Sequence, residues 1–319
     1  MTGGAGYIGS HVVRLLKKRG DSVVVIDDLV TGDQGRIPEV PCFQMDLADS
    51  GAPDKISGIL KEYGVEAVIH FAGRKQVAES VARPAWYYQQ NVGSLANVLL
   101  AMESSGVTRL VFSSSAAVYG TSEGAALSED TPTAPINPYG ETKLAGEWLV
   151  AGAVGSLGIR ASSLRYFNVA GAGWPELGDT AALNLVPMVF ERLDAGLPPL
   201  VFGNDYATPD GTCIRDYIHV LDLAEAHLAT LDSLSEGLPR HEIFNVGTGT
   251  GSSVSRMVAE ILTESGASGG QEVRPRRPGD PAVVVADPSA IARSVGWTAR
   301  LGLTEIVQSA WASHQLLKT

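Results

Sequence analysis

Short, mostly apolar runs alternate with amphipathic stretches through the first half of the chain. Ser22–Asp27, Cys42–Asp46, Glu66–Gly73, Thr108–Ser115 and Ile159–Asn168 read as strands, several ending in polar residues. Near-continuous apolar runs of this length fit strands buried on both faces of a parallel sheet. Between them, Ser10–Arg19, Ala52–Tyr63, Pro84–Ser105 and a segment opening at Pro138 carry helical periodicity. Regular strand–helix–strand alternation predicts an α/β fold: a doubly wound parallel sheet with helices on both faces.

Beyond Gly171 the texture changes, with Gly and Pro punctuating shorter elements. A helix is expected near 185–195, a strand at 200–202, an extended segment at 213–220 and a helix at 221–234. Phe244–Gly247 reads as a strand returning to the large sheet, and two helices close the chain. The division expected is a sheet domain over residues 1–170 and a smaller substrate lobe over 171–319, with segments around 213–247 rejoining the main sheet.

The chain opens Met1-Thr2-Gly3-Gly4-Ala5-Gly6-Tyr7-Ile8-Gly9. Gly3, Gly6 and Gly9 suit a tight turn, close approach to a pyrophosphate and close helix–strand packing, with the next helix pointing its amides at the phosphates. About 20 residues on, Asp27 ends a strand where a carboxylate bonds ribose hydroxyls, and it disfavours a 2′-phosphate. A Rossmann-like site for NAD rather than NADP is expected. The chain begins only two residues before Gly3, so the apolar first strand is largely missing. The expectation is an upstream in-frame start that encodes it.

Tyr139 and Lys143 are four apart in Tyr-Gly-Glu-Thr-Lys, one turn apart on one helix face. An ammonium near a phenol favours phenolate, which predicts a lowered Tyr139 pKa and a base working near neutrality. Ser115, closing the run Ser113-Ser114-Ser115 at a strand end, is placed to bond the same reacting oxygen. His70, inside an apolar run, reads as a core histidine. Arg274, Arg276 and Arg277 in one stretch of an acidic chain suggest a bound phosphate or diphosphate.

Composition narrows the function classes. The 319 residues are 45% hydrophobic and 18% charged, as in a soluble globular protein. A net charge of −11 without a long basic run opposes nucleic-acid binding. The sequence contains no uninterrupted apolar span of membrane-crossing length, and no signal peptide is read at the start. Two cysteines, Cys42 and Cys213, make no disulfide framework and suit the cytoplasm. No metal site is expected.

With the glycine run, Ser113–Ser115 and Tyr139-x-x-x-Lys143 in hand, the chain resembles the extended short-chain dehydrogenase/reductases. His70-Phe71-Ala72-Gly73, Ser115–Gly120, Leu164–Asn168, Phe202–Tyr206 and above all Asp210–Ala224 make it similar to the UDP-glucose 4-epimerase family. That resemblance implies roles residue by residue. Tyr139 is the base on the sugar 4-hydroxyl, Lys143 its partner and a ribose contact, and Ser115 a hydrogen bond to the reacting oxygen. Gly3, Gly6, Tyr7, Ile8, Gly9, Asp27, Asp28, Leu29, Thr31, Gly32, Asp46, Leu47, Phe71, Ala72, Gly73, Lys75, Asn91, Ser113 and Phe167 match the NAD site, with Tyr139 and Lys143. Lys75, Ser115, Tyr139, Asn168, Asn184, Leu185, Leu200, Val201, Phe202, Arg215, Arg277, Asp280 and Val284 match the nucleotide-sugar site.

The implied reaction interconverts UDP-glucose and UDP-galactose. Hydride leaves C4 for tightly bound NAD, the 4-keto sugar turns, and hydride returns to its other face. A homodimer is implied, with helices near 86–105 and 144–150 as interface elements. Two departures stand out. Ala117 replaces a hydroxyl residue common in the family. Val284 stands where the family gates the sugar's 2-substituent, so its small side chain suggests room for UDP-N-acetylhexosamines. Alternatives are a 4-epimerase of UDP-xylose or UDP-glucuronate, a nucleotide-sugar dehydratase, which needs acids where Ala116 and Ala117 stand, and a non-catalytic NAD-binding regulator.

Overall fold

The structure, a computed structural model, describes residues 1–121, 126–277 and 279–318. Residues 122–125 of the loop before Pro138, and Pro278 of the arginine stretch, lie outside them. The first helix, α1 (Tyr7–Arg19), springs directly from the glycine run. It stops at Gly20, whose left-handed backbone (φ 94°) turns its N–H back to the carbonyls of Leu16 and Lys17. β1 (Val25–Asp27) and β2 (Cys42–Gln44) follow, then α2 (Ala52–Glu62), β3 (Val68–His70), α3 (Val77–Ala82) and α4 (Pro84–Tyr88). α5 (Ser94–Ser105) precedes β4 (Arg109–Ser115), and α6 (Pro138–Leu157) precedes β5 (Arg160–Tyr166).

Short elements follow: β6 (Asn168–Ala170), α7 (Leu185–Asp194), β7 (Leu200–Phe202), β8 (Ile214–His219), α8 (Val220–Ser233) and β9 (Arg240–Val246). The chain ends with β10 (Gly251–Ser253), α9 (Val254–Ser265), β11 (Glu272–Arg274), β12 (Val283–Val284), α10 (Ser289–Val295) and α11 (Leu303–Leu317).

β3, β4, β5 and β9 form one parallel ladder, and β1 pairs parallel with β2. Met1 and Thr2 lie between the two ladders. Thr2 bridges Ile26 on one side and His70 on the other. The Ile26 N–H donates to the Met1 carbonyl at 2.8 Å, and the Thr2 N–H donates to the Ile69 carbonyl at 3.0 Å. The strand order is therefore β2–β1–(Met1–Thr2)–β3–β4–β5–β9, all parallel, with the central place held by two residues.

Two apolar layers sandwich this sheet. Ile56, Leu60, Leu95, Val98 and Met102 of α2 and α5 bury one face with Leu110 and Phe112 of β4. Val12, Leu16, Leu223 and Ala226 of α1 and α8, with Ile291 of α10, bury the other against Val111, Leu164 and Phe244. A third cluster, built on α7, α9 and α11, makes the core of the smaller lobe. There β10–β8–β12 carries β6 on β8, and β11 pairs with β7. Among the described residues, no helix is long and apolar enough to cross a membrane.

Several elements differ from the sequence expectation: the run Ile159–Asn168 splits into β5 and β6 in different sheets, and α9 is additional. The strand expected from Ser22 starts at Val25, where its register with Cys42 begins. The helical run 84–105 is broken into α4, a π-helical turn over Gln89–Gly93, and α5. A π-turn inserts an extra residue into the hydrogen-bond ladder, and such turns concentrate at functional sites. This one carries Asn91.

Candidate active site

The glycine run makes a cradle with no room for side chains. A Cβ on Gly3 (φ 68°) would lie 2.6 Å from the Ala72 nitrogen, and one on Gly9 would lie 2.3 Å from the Gly3 carbonyl oxygen. Gly6 caps α1 without a side-chain bond, and no acid sits in the first turn. The helix thus presents its amide end to an anion without a competing carboxylate. Tyr7 turns away to donate its hydroxyl to the Gly171 carbonyl at 2.6 Å, and Ile8 packs into the α1–α8 core.

Asp27 sits beside this cradle at the end of β1. Its carboxylate accepts from the N–H of Ala5 at 2.9 Å and of Leu29 at 3.0 Å. Burial pushes its pKa upward, opposed by those amides. Leu29 is held in the left-handed region (φ 59°), so Asp28, Leu29, Thr31 and Gly32 curl back over Asp27. A Cβ on Gly32 would meet an Asp27 oxygen at 2.7 Å. Asp46 accepts from the Ala48 N–H and from Gln90, while Leu47 is buried.

Phe71 stacks against His227, and Lys75 is exposed at the rim. Asn91 ties the edge together: its oxygen accepts from the Arg74 N–H at 2.7 Å, and its amide donates to the Arg74 carbonyl and to Thr142. These features fit a dinucleotide, with a cradle for its phosphates and a buried acid for its ribose.

The expected acid–base residues Ser115, Tyr139 and Lys143 come together where α6 meets the end of β4. Asn137 caps α6 by accepting the Gly140 N–H at 2.9 Å, and Pro138 occupies its first turn. The cap fixes where the helix begins and so which face carries Tyr139 and Lys143. Ser115, at the end of β4, accepts the Ala117 N–H at 3.1 Å and lies near enough to the Tyr139 hydroxyl to favour its phenolate. Lys143 donates to the Ser113 carbonyl at 2.8 Å and lies 6.0 Å from the Tyr139 ring centre. Ala72 and Gly73 connect this group to the cradle. Gly3 abuts Ala72, and a Cβ on Gly73 would lie 3.6 Å from Lys143 Nζ.

The direction of the Tyr139 pKa corrects the sequence expectation. Burial raises it, Ser115 partly offsets the rise, and Lys143 makes no resolved contribution. Lys143 itself is pulled down to about 8 by burial. The physical reason is desolvation: without a ligand, the half-buried phenol loses more hydration than a tethered ammonium returns. His70 is a core residue, its pKa pulled to about 3 by burial, bonded to the Thr2 hydroxyl at 2.8 Å.

The smaller lobe gathers most of the expected nucleotide-sugar residues into one connected set. β12 brings Val284 beside Arg215 on β8. Val284 and Ala116, which follows Ser115 in the chain, both pack against a small apolar cluster that includes Val118 and Phe167. Arg215 and Asp280 form an ion pair. Arg277 lies 4.0 Å over the Phe202 ring of β7, beside Leu200 and Val201. Asn168 is exposed at the start of β6, and Asn184 precedes Leu185 at the start of α7, its amide donating to Asp179 at 2.7 Å.

The arginine stretch is more internally neutralised than expected. Arg274 pairs with Glu272 and Arg276 with Asp205, whereas Arg277 has no ionic partner among the described residues.

Comparison with known proteins agrees with this geometry. The sequence profile of the NAD dependent epimerase/dehydratase family matches residues 1–247. The chain belongs to that family. It is 43% identical to the UDP-glucose 4-epimerase of Azospirillum brasilense, covering 100% of this chain and 92% of that one. Identity to the UDP-glucose 4-epimerase of Corynebacterium glutamicum is 40%, over 98% and 94%. A crystal structure of UDP-glucose 4-epimerase from Stenotrophomonas maltophila, with bound NAD and formylated UDP-arabinopyranose, superposes with a TM-score of 0.94. Its sequence is 36% identical, over 99% of this chain and 97% of that one. NAD is the cofactor of this epimerase/dehydratase chain.

Three residues that sequence reasoning did not single out stand behind the epimerase/dehydratase site. Glu147, on α6, accepts from the Ser114 hydroxyl at 2.5 Å and pairs with Arg165. Its signal was available, four residues past Lys143 on the same helix face. Tyr166 donates its hydroxyl to Ser113 Oγ. Arg74 reaches Asp28, 46 positions away, and nothing in the local sequence marks that contact.

Proposed function

We propose that this chain interconverts UDP-glucose and UDP-galactose by reversible oxidation at C4. The observation that carries the reading is the junction of two sites: Ala72 abuts Gly3 of the glycine cradle, and Gly73 lies beside Lys143 of the group formed with Ser115 and Tyr139. Bound NAD supplies a nicotinamide ring that accepts a hydride and gives it back. Tyr139 takes the proton of the 4-hydroxyl and later returns it to the same oxygen. Ser115 donates to that oxygen and fixes its position against Tyr139. Lys143, tethered to Ser113, holds positive charge where phenolate forms, and the cationic ring of oxidised NAD would add to the field that brings the Tyr139 pKa down.

Arg215 and Arg277 hold the diphosphate, with Phe202 and the start of α7 toward the base. The sugar lies among small side chains, Ala116, Ala117 and Val284, which leave it space to present either face. Val284 in place of a bulky residue extends the substrate range to UDP-N-acetylhexosamines. Two lobes divide the work: residues 1–170 with α8, β9 and α10 on the cofactor side, and the rest of 171–319 on the nucleotide-sugar side. Free Cys42 and Cys213 suit a cytoplasmic enzyme.

The working unit is a homodimer built on α5 and α6. Trp148 is 66% exposed and Leu100 51% exposed. Gly93, in the turn that enters α5, and Gly152 and Gly155 on α6 face open space, where a Cβ would meet nothing within 4 Å. Glycine in a helix costs about 1 kcal/mol against alanine, and no packing within the chain requires it there. Close approach of the same helices from a second copy accounts for both features.

The functional test is incubation of purified protein with UDP-galactose, UDP-N-acetylglucosamine, UDP-xylose and UDP-glucuronate, products resolved by NMR. Conversion of UDP-galactose to UDP-glucose is expected, with slower turnover of the N-acetylated sugar. Turnover of UDP-xylose or UDP-glucuronate alone would replace this substrate assignment.

A further inference from the structure

One ion pair at the carboxyl edge of the main sheet serves neither the acid–base group nor the core. Asp28 follows β1 and Arg74 follows β3. Between those strands lies Met1–Thr2, from which the glycine cradle springs. A side-chain link between the ends of β1 and β3 therefore spans the crevice over the cradle, where open α/β sheets bind dinucleotides. Arg74 Nη2 lies 2.5 Å from Asp28 Oδ2 and 3.2 Å from Gln90 Oε1, with the guanidinium 5.3 Å from the Trp86 ring centre.

Both ends are anchored. Asn91 grips the Arg74 backbone at its N–H and at its carbonyl, at 2.7 and 3.0 Å. The other oxygen of Asp28 accepts the Val30 N–H at 3.0 Å across the left-handed Leu29. Gln90 passes the link on to Asp46 at 3.1 Å. The side chains of Arg74 and Asp28 are 17% and 27% exposed, within reach of solvent ions.

On the reading that NAD lies over the cradle with its adenosine toward Asp27, we propose that Arg74 and Asp28 form a strap across the crevice that must open before the dinucleotide leaves. Arg74 is then a cofactor-retention residue. It touches none of Ser115, Tyr139 and Lys143, and it acts on the residence time of NAD. A planar guanidinium that engages Asp28 and Gln90 together is suited to the task, and a lysine is not an equivalent replacement.

The test uses holoenzyme loaded with radiolabelled NAD and chased with excess unlabelled NAD, retained label being followed by gel filtration. Arg74→Ala and Asp28→Asn are each expected to speed exchange by about tenfold or more, with Arg74→Lys in between. The double variant should exchange no faster than the faster single one. Raising NaCl from about 0.05 to about 0.5 M should quicken exchange in the unaltered protein and leave Arg74→Ala unchanged. Cofactor-free Arg74→Ala should melt within about 2 °C of the unaltered protein, since a partly exposed ion pair adds little stability.

Exchange within about twofold of the unaltered protein in both single variants would overturn the strap. An Asp27→Ala protein that still purifies with a full equivalent of NAD would instead overturn the placement of the dinucleotide, and the strap with it.

Discussion

Lys143 Nζ lies 2.8 Å from the Ser113 carbonyl oxygen, so the ammonium is held by the strand end and not by the phenol it serves. Its pKa of about 8 in the folded protein compares with 10.5 for a free lysine. Below about pH 8 both folded and unfolded chains carry the proton, and the burial penalty is present in full. Between about pH 8 and 10.5 the unfolded chain binds more protons, so this group's contribution to stability rises with pH. Urea midpoints of cofactor-free protein, measured from about pH 7.5 to about pH 10, should therefore show the unaltered protein gaining on Lys143→Met. The full gain is up to about 3 kcal/mol. A difference that stays flat across that window would show that Lys143 is not desolvated.

Glu147 and Arg165 are 3% and 4% exposed and share two hydrogen bonds of 2.9 and 2.7 Å. Removing one partner leaves the other as an uncompensated buried charge. Glu147→Leu should destabilise by about 3–5 kcal/mol, and the double change Glu147→Leu with Arg165→Met by clearly less. Thermal unfolding of the three proteins measures both. Equal losses in the single and double variants would contradict the pairing.

Val284 belongs to one small apolar cluster with Ala116, Val118 and Phe167, which the proposed function puts at the sugar. Val284→Tyr should remove turnover of UDP-N-acetylglucosamine while keeping that of UDP-galactose. The ratio of the two kcat/KM values is the measurement, and an unchanged ratio would move the specificity determinant elsewhere.

Trp148 and Leu100, with the open glycines Gly93, Gly152 and Gly155, define the proposed dimer contact. Trp148→Glu should convert the dimer to monomers in analytical ultracentrifugation, since a charge there is buried without a partner. A variant that remains dimeric would place the interface on another surface.

Most of the sheet was legible because its strands are buried on both faces and its helices are periodic. The proximity of Tyr139 to Lys143 was legible because the helical period places both on one face, with Pro138 marking where that helix starts. What escaped depends on distance in sequence or on solvation. The π-turn that presents Asn91 breaks a run whose periodicity reads as one helix. Arg276 reads as free cation until Asp205, 71 residues away, is brought against it. Spacing indicates that Lys143 lies near Tyr139, but only burial decides which way the phenol shifts.

The central claim, that Tyr139 is the proton acceptor of a reversible oxidation at C4, is tested most directly by Tyr139→Phe. The measurement is conversion of UDP-galactose to UDP-glucose by NMR, alongside the NAD content of the purified protein. A loss of at least about 10²-fold in turnover with a full equivalent of NAD still bound is the predicted result. Turnover within about tenfold of the unaltered protein would contradict it, because the phenol would then not be the group that moves the proton.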